Sequence, residues 1–326
     1  MKRLLRPALL VLLLVVAAVY FWNASWLAEM PEGQTRVIAH RGVHQTFSRE
    51  GLDNDTCTAR RIFPPTHGFL ENTLPAMAAA FAAGADVVEL DVHPTTDGFF
   101  AVLHDWTIDC RTEGTGVTRA RDLAYLKTLD VGYGYTADGG KTFPLRGTGV
   151  GLMPEFSEVM QVFPTGKFLV NFKSNEAREG DMLSTLLVAN PAWRSRVWGA
   201  YGGDAPTFRA AEGIAGLEVW SRRGLMDCLL QYAGIGWTGF VPGPCRDTVV
   251  MIPINVAPFL WGWPNRLLQR LHAAGSEVIL LGPYGAGDPG TAGIDTLEQL
   301  AAVPTSFPGY LWTNRIEVIG PALRGR

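Results

Sequence analysis

The chain predicts a (β/α)₈ barrel preceded by one N-terminal transmembrane helix. From residue 36 onward, eight short runs of β-favouring apolar residues alternate with longer Ala/Leu-rich stretches, the pattern of repeated β/α units around a parallel sheet. The roughly 290 residues that carry them suit a barrel of about 250 residues with insertions. Acidic and histidine residues also gather at the ends of the early runs, where barrels place their active sites. A doubly wound open sheet is the second reading.

The first segment is basic and then apolar. Lys2, Arg3 and Arg6 precede a run from Ala8 to Trp22, extending with polar breaks to Ala28. Tyr20, Phe21, Trp22 and Trp26 stand where a cleavage site wants small residues and suit a membrane interface, so an uncleaved signal anchor over residues 1–29 is preferred to a cleaved peptide. The basic end then stays in the cytoplasm, and residues 30–326 form an extracytoplasmic barrel domain. The 326 residues carry a net charge of −3 with no Lys/Arg run, which leaves no footprint for nucleic acid. Cys57, Cys110, Cys228 and Cys245 make an even set that suits an oxidising compartment, and no C-x₂-C pair suggests zinc. The expected pairs are Cys57 with Cys110, in loops leaving one barrel face, and Cys228 with Cys245, close in sequence.

The predicted strands are 37–39, 87–91, 168–172, 197–200, 217–221, 249–254, 277–281 and 310–313. One helix is plain over 73–83, with Thr73 to cap it, Pro75 in its first turn and Gly84 to end it. Thr96-Asp97-Gly98 signals a turn into a hairpin strand over 99–104. Residues 132–151, rich in Gly and aromatics without helical period, read as an insertion beside the mouth, and 43–70 as a long polar loop over it. The G-x-G-x-x-G match at 285–290 contains Pro289 and is set aside as a dinucleotide loop, and no G-x-S-x-G exists.

Side chains alternate along a strand, so Glu89 and Asp91 project together at the C-terminal end of the second one. Hard oxygen ligands in such a pair suit Mg²⁺ or Ca²⁺, unless salt bridges to Lys or Arg account for them. His40-Arg41 ends the first strand and His104-Asp105 ends the hairpin, so two proton carriers and a cation converge on the same mouth. That set suits phosphodiester cleavage.

The order His40-Arg41-Gly42, Glu71-Asn72-Thr73, Gly84 through Val92 (GADVVELDV), Thr96-Asp97-Gly98 and His104-Asp105 resembles the glycerophosphodiester phosphodiesterases. Residues 36–105 carry the resemblance strongly; Met153-Pro154, 168–173 and Tyr310–Arg315 (YLWTNR) carry it more weakly. It implies a metal-dependent barrel that splits a glycerophosphodiester into glycerol phosphate and an alcohol. By position, His40 and His104 become the acid/base pair, Arg41 and Lys173 phosphate contacts, and Glu89 and Asp91 metal ligands. Glu71 is read as a further site carboxylate. Asn171 stands where the family has Glu, and an amide oxygen there would ligate the cation without charge. A substrate hydroxyl would attack phosphorus, with His40 as base and His104 as acid. The implied partners are a small phosphodiester or a lysophospholipid, and the membrane. A catalytically weak binding protein on the same barrel is the alternative that Asn171 raises. His93 continues the face of Glu89 and Asp91 but falls at the strand's end, and is read as surface.

Overall fold

A computed structural model describes residues 2–53, 55–285 and 292–325. The match at 285–290 therefore lies almost wholly outside the described residues. Among the described residues nine strands form: β1 (Arg36–His40), β2 (Val87–Pro94), β3 (Phe100–Val102), β4 (Lys167–Phe172), β5 (Val197–Gly202), β6 (Glu218–Val219), β7 (Val249–Pro253), β8 (Glu277–Leu281) and β9 (Tyr310–Thr313). Their order is β6-β5-β4-β2-β1-β9-β8-β7, with β3 antiparallel to β2 and every other pairing parallel. First and last strands sit side by side, as in a barrel, and the doubly wound reading fails. At the remaining seam, Thr248 Oγ1 donates to Val219 O at 3.2 Å, holding β7 beside β6. All eight predicted parallel strands are present, and β3 occupies the predicted hairpin.

Side-chain alternation sorts the core into two layers. Ile38, Val87, Leu169, Trp220, Val249, Met251, Ile279, Tyr310 and Trp312 pack inside the ring. Val37, Ala39, Val88, Leu90 and Val170 face outward against helices, among them Leu74–Ala83 and Ala177–Ala189. Local signals set the Leu74–Ala83 helix as expected: Thr73 Oγ1 accepts from Ala76 N, and Gly84 closes it in the left-handed region at φ 105°. Between β3 and β4 the chain builds an annex whose own core includes Ile108, Leu129, Tyr135 and Leu145, packed on Ile62 and Leu70 of the first long loop. The Cys57–Cys110 disulfide ties that loop to the annex, and Cys228–Cys245 ties the Arg222–Ile235 helix to the connection before β7; both pairs are those expected.

At the N-terminus a helix does form, Lys2–Asn23, but among the described residues no helix is long and apolar enough to cross a membrane. The expected span is corrected to that extent. Its apolar stretch is short: Ala8 to Trp22 at about 1.5 Å per residue covers roughly 22 Å of a hydrocarbon core near 30 Å. Leu9 through Val16 are all exposed. The end of the helix docks on the barrel, where Asn23 is buried.

Candidate functional site

The inward positions of three neighbouring strands change from apolar to polar near their C-terminal ends. Ile38 is followed by His40 on β1, Val87 by Glu89 and Asp91 on β2, and Leu169 by Asn171 and then Lys173 on and after β4. A period of two therefore puts a ring of charge directly above the apolar core. β3 returns antiparallel to β2 and delivers His104 to the same mouth. After β1 the chain turns sharply: Arg41 sits at φ 58° and Gly42 at φ 76°, where a Cβ would stand 2.8 Å from Ala76 C. Arg41 holds this disfavoured conformation through its bonds, its N–H donating to Glu89 O at 3.1 Å.

Arg41 and Arg111 knit the carboxylates together. Arg41 Nη1 lies 3.0 Å from Glu71 Oε1 and its Nε 3.2 Å from Asp91 Oδ2, while Arg111 Nη1 reaches Glu71 Oε2 at 3.2 Å and Nε reaches Asp105 Oδ2 at 2.9 Å. Burial opposes the charge on Glu71, but Arg111 and Arg41 outweigh it and hold its pKa below the usual carboxylate range. Asp91 is likewise held low, burial being overcome by Lys173 and Arg41. Asn72 Nδ2 and Asn171 Nδ2 each donate to Asp91 at 2.9 Å, and Lys173 Nζ stands 3.5 Å from it. Glu89 differs: burial and then Asp91 push it up to about 8, even though Tyr201 donates to its Oε1 at 2.8 Å.

Glu89 is thus the buried carboxylate left short of positive charge, which is the place a divalent cation would fill. Glu89 and Asp91 offer the oxygens such an ion needs. Among the described residues, no group of three His, Cys, Asp or Glu has the geometry of a metal centre. Asn171 does not complete one as it stands. Its amide nitrogen faces Asp91 and Tyr201 OH, and its Oδ1 faces Gly202, where a Cβ would lie 2.4 Å away. The amide nitrogen is thus engaged with a carboxylate and a phenol hydroxyl.

Both histidines feel Arg41 and Asp91, so they flank one centre. The Asp295 carboxylate accepts from Asn314 N at 2.7 Å and from Asn314 Nδ2 at 2.9 Å. Asn314 Oδ1 is thereby turned to His40, which donates to it through Nδ1 at 2.7 Å. Nε2 of His40 keeps the lone pair, buried and without a hydrogen-bond partner, 3.9 Å from Glu89 Oε2. Burial lowers this imidazole well below its ordinary value, with Arg41 adding to the effect. His104 pairs through Nδ1 with Asp105 Oδ1 at 2.8 Å, and Arg111 holds that carboxylate from behind. Burial and Arg41 lower His104 as well, while Asp91 and Asp105 act to raise it.

A model of the glycerophosphoryl diester phosphodiesterase family matches residues 40–190, the stretch that carries His40, Arg41, Glu71, Glu89, Asp91, His104, Arg111, Asn171 and Lys173. The match covers a little under half of the chain. The chain is 37% identical over 103 residues to a glycerophosphodiester phosphodiesterase of Caldanaerobacter subterraneus subsp. tengcongensis, covering 32% of this chain and 39% of that one. It is 35% identical over 140 residues to one from Bacillus altitudinis, covering 43% and 44%. The matched stretch spans less than half the length of these curated relatives. Among solved structures, the glycerophosphoryl diester phosphodiesterase domain of an uncharacterized Mycobacterium tuberculosis protein superposes with a TM-score of 0.61 at 17% identity, covering 91% of this chain and all of that one. An Oleispira antarctica phosphodiesterase in complex with the product sn-glycerol-3-phosphate gives 0.53 at 15% identity, covering 90% and 98%. At such identities the likeness is one of fold.

The barrel brings together His40, Arg41, Glu71, Glu89, Asp91, His104, Asn171 and Lys173. His93 is not on the surface: it is fully buried, with Trp106 against its ring and Nε2 3.5 Å from His104 O, because β3 and the chain after it fold over the end of β2. Sequence reasoning missed Asn314, Tyr201, Asp105 as the partner of His104, and Arg111. An Asn just past the last strand, next to β1 in any closed barrel, was the one signal available for Asn314. Arg111 carries no local signal, since its carboxylate partners Asp105 and Glu71 lie 6 and 40 residues away.

Proposed function

We propose that this chain hydrolyses glycerophosphodiesters to glycerol phosphate and an alcohol, and that His40 and His104 move the protons. The observation that carries the reading is the pair of histidines flanking Arg41 and Asp91, one with a free basic nitrogen and the other backed by a carboxylate. His40, neutral and with Nε2 unpartnered, is built to take a proton from the attacking hydroxyl of the substrate. His104, with Asp105 steadying its imidazolium, is built to give one to the leaving alcohol, and water then opens the resulting cyclic phosphate to glycerol phosphate. Lys173, the site cation most open to solvent, meets the phosphoryl oxygens, whereas Arg41 chiefly fixes Glu71 and Asp91. A divalent ion, Mg²⁺ or Ca²⁺, held by Glu89 and Asp91 with Glu71 nearby, would neutralise charge developing on the phosphoryl group.

The product named in the Oleispira antarctica complex supports glycerol phosphate as the common half of the substrate. The exposed apolar sleeve of the Lys2–Asn23 helix supports attachment to a membrane, and the two disulfides support an extracytoplasmic barrel. A lysophospholipid is the second substrate reading, favoured by that same sleeve. The test is turnover of glycerophosphocholine by the full chain in the presence of Mg²⁺ or Ca²⁺. His40→Ala and His104→Ala should each lose about 100-fold or more in kcat. Near-normal turnover in both variants would remove the proposal.

A further inference from the structure

We propose that the floor of the barrel, the face opposite the catalytic mouth, rests on the bilayer, so that the mouth opens into water and takes water-soluble glycerophosphodiesters in preference to lysophospholipids resident in that membrane. The inference rests on the reading of the Lys2–Asn23 helix as an anchor and fixes how the barrel stands on it.

Helices of a β/α barrel run antiparallel to its strands, so the connection from the end of the Arg222–Ile235 helix to the start of β7 lies on the floor. The N-terminal helix lands on that connection. Trp22 Nε1 donates to Thr238 O at 3.0 Å and Asn23 Nδ2 to Trp237 O at 2.8 Å. The Trp22 ring covers Gly239, where a Cβ would sit 2.8 Å from its nitrogen. Arg270 locks the joint, its Nη1 donating to Asn23 Oδ1 at 2.9 Å and to Gly236 O at 3.1 Å.

The direction of the chain can be read from the Asn265–Ala273 helix, which starts towards the mouth and ends at the floor. Asn23 touches it at Arg270, and five residues later Ala28 O accepts from Asn265 Nδ2 at 2.7 Å. The chain climbs from floor towards mouth after Asn23, and before Asn23 the helix leaves the barrel, its residues Leu9 to Val16 all exposed.

Around this joint the barrel exposes large apolar groups. Trp237 and Phe240 are open to solvent, and Trp26 and Leu27 just beyond the helix add to them. The patch continues the sleeve of the helix itself. Eight consecutive residues, Leu9 to Val16, are each more than half exposed, which covers the full circumference through two turns. A protein partner covers one side of a helix, whereas a bilayer covers all sides, so lipid is the occupant the pattern fits. Indole rings and Phe at the foot of such a helix match an interfacial aromatic belt. With the floor at the interface, the polar ring of the site stands roughly 13 Å above the strand starts, given the five residues from Arg36 to His40 or from Val87 to Asp91 at about 3.3 Å each and a barrel tilt near 36°.

The test uses the full chain in phosphatidylcholine vesicles containing doxyl-labelled lipid, with an environment-sensitive fluorophore on a cysteine introduced by Phe240→Cys on the floor or Thr142→Cys in the annex. Each variant is first shown to hydrolyse glycerophosphocholine. The label at 240 should lose most of its emission to doxyl lipid, while the label at 142 should ignore the lipid and be quenched by aqueous iodide. In the same vesicles glycerophosphocholine should turn over at least about tenfold faster than embedded lysophosphatidylcholine, whose phosphate cannot be brought into line at the mouth. Doxyl quenching at 142 but not 240 overturns the orientation. Flotation with vesicles without quenching at either position keeps the anchor and overturns the docked floor, whereas failure to float overturns the anchor as well. Shielding of 240 without lipid, together with a doubled mass in solution, assigns the patch to a second copy and overturns the lipid reading. Equal rates on the two substrates overturn the substrate assignment.

Discussion

Replacing Asn314 by Leu isolates the part of the site that prepares the base. The change removes the acceptor 2.7 Å from His40 Nδ1 and leaves both nitrogens of a buried imidazole without a neutral partner. A buried hydrogen bond of this kind is worth about 1–1.5 kcal/mol. That energy is what favours the tautomer with the proton on Nδ1 and the lone pair on Nε2. At about 1.4 kcal/mol per factor of ten, its loss lowers the fraction of competent base by about tenfold. We expect kcat on glycerophosphocholine to fall about tenfold with KM changed less than about twofold, since Asn314 is a positioning residue that acts through His40. Steady-state kinetics give the split, and ¹⁵N shifts of the His40 ring report the tautomer directly. The reasoning is refuted if kcat stays within twofold of the parent, or if the ring keeps its proton on Nδ1 while activity falls. In combination with His40→Ala the change should add almost nothing, because the residue it prepares is gone.

Three further outcomes are expected. Cys57→Ala/Cys110→Ala opens a closure of 53 residues and should cost about 4 kcal/mol of folding stability, against about 3 kcal/mol for the 17-residue closure of Cys228 and Cys245, as read from urea midpoints. Asn171→Glu should tighten Mg²⁺ or Ca²⁺ binding by about tenfold or more in calorimetry because it adds a charged oxygen beside Asp91, while Asn171→Ala should change it less than threefold; the reverse ranking would restore Asn171 as a ligand. Burial lowers the pKa of His44, so its contribution to stability is complete above about pH 6.5 and is lost as pH falls through the lowered value. His44→Gln should therefore lose less stability than the parent between pH 7 and pH 5 in matched denaturant titrations, and equal losses would show that His44 does not titrate with unfolding.

The strands were legible because a parallel barrel strand is buried on both faces and reads as a short apolar run, as at 249–254 and 277–281. The hairpin and the Leu74–Ala83 helix were legible because their boundaries are set by adjacent residues, Asp97-Gly98 and Thr73 with Gly84. At the site, alternation alone placed Glu89 with Asp91. What each group does there depends on contacts between distant segments. Glu71 reads as a site carboxylate from its place in the chain, but its partner Arg111 arrives only from the annex, 40 residues on. Asn171 looked like a ligand by its place on β4, yet the direction of its amide is decided by Asp91 and Gly202, neither of them local. His93 looked exposed because periodicity counts strand faces and does not see what folds over a strand's end.

The neighbouring of β1 and β9 bears on when the protein can first work. His40 is complete once about a tenth of the chain has been made, but the amide that orients it is held by Asp295 and arrives only with the last strand. A nascent chain, or one cut short near residue 310, can fold its early β/α units and still lack a prepared base. Turnover is therefore a report on ring closure, and during refolding it should appear in step with the slowest long-range contact and lag behind helix content.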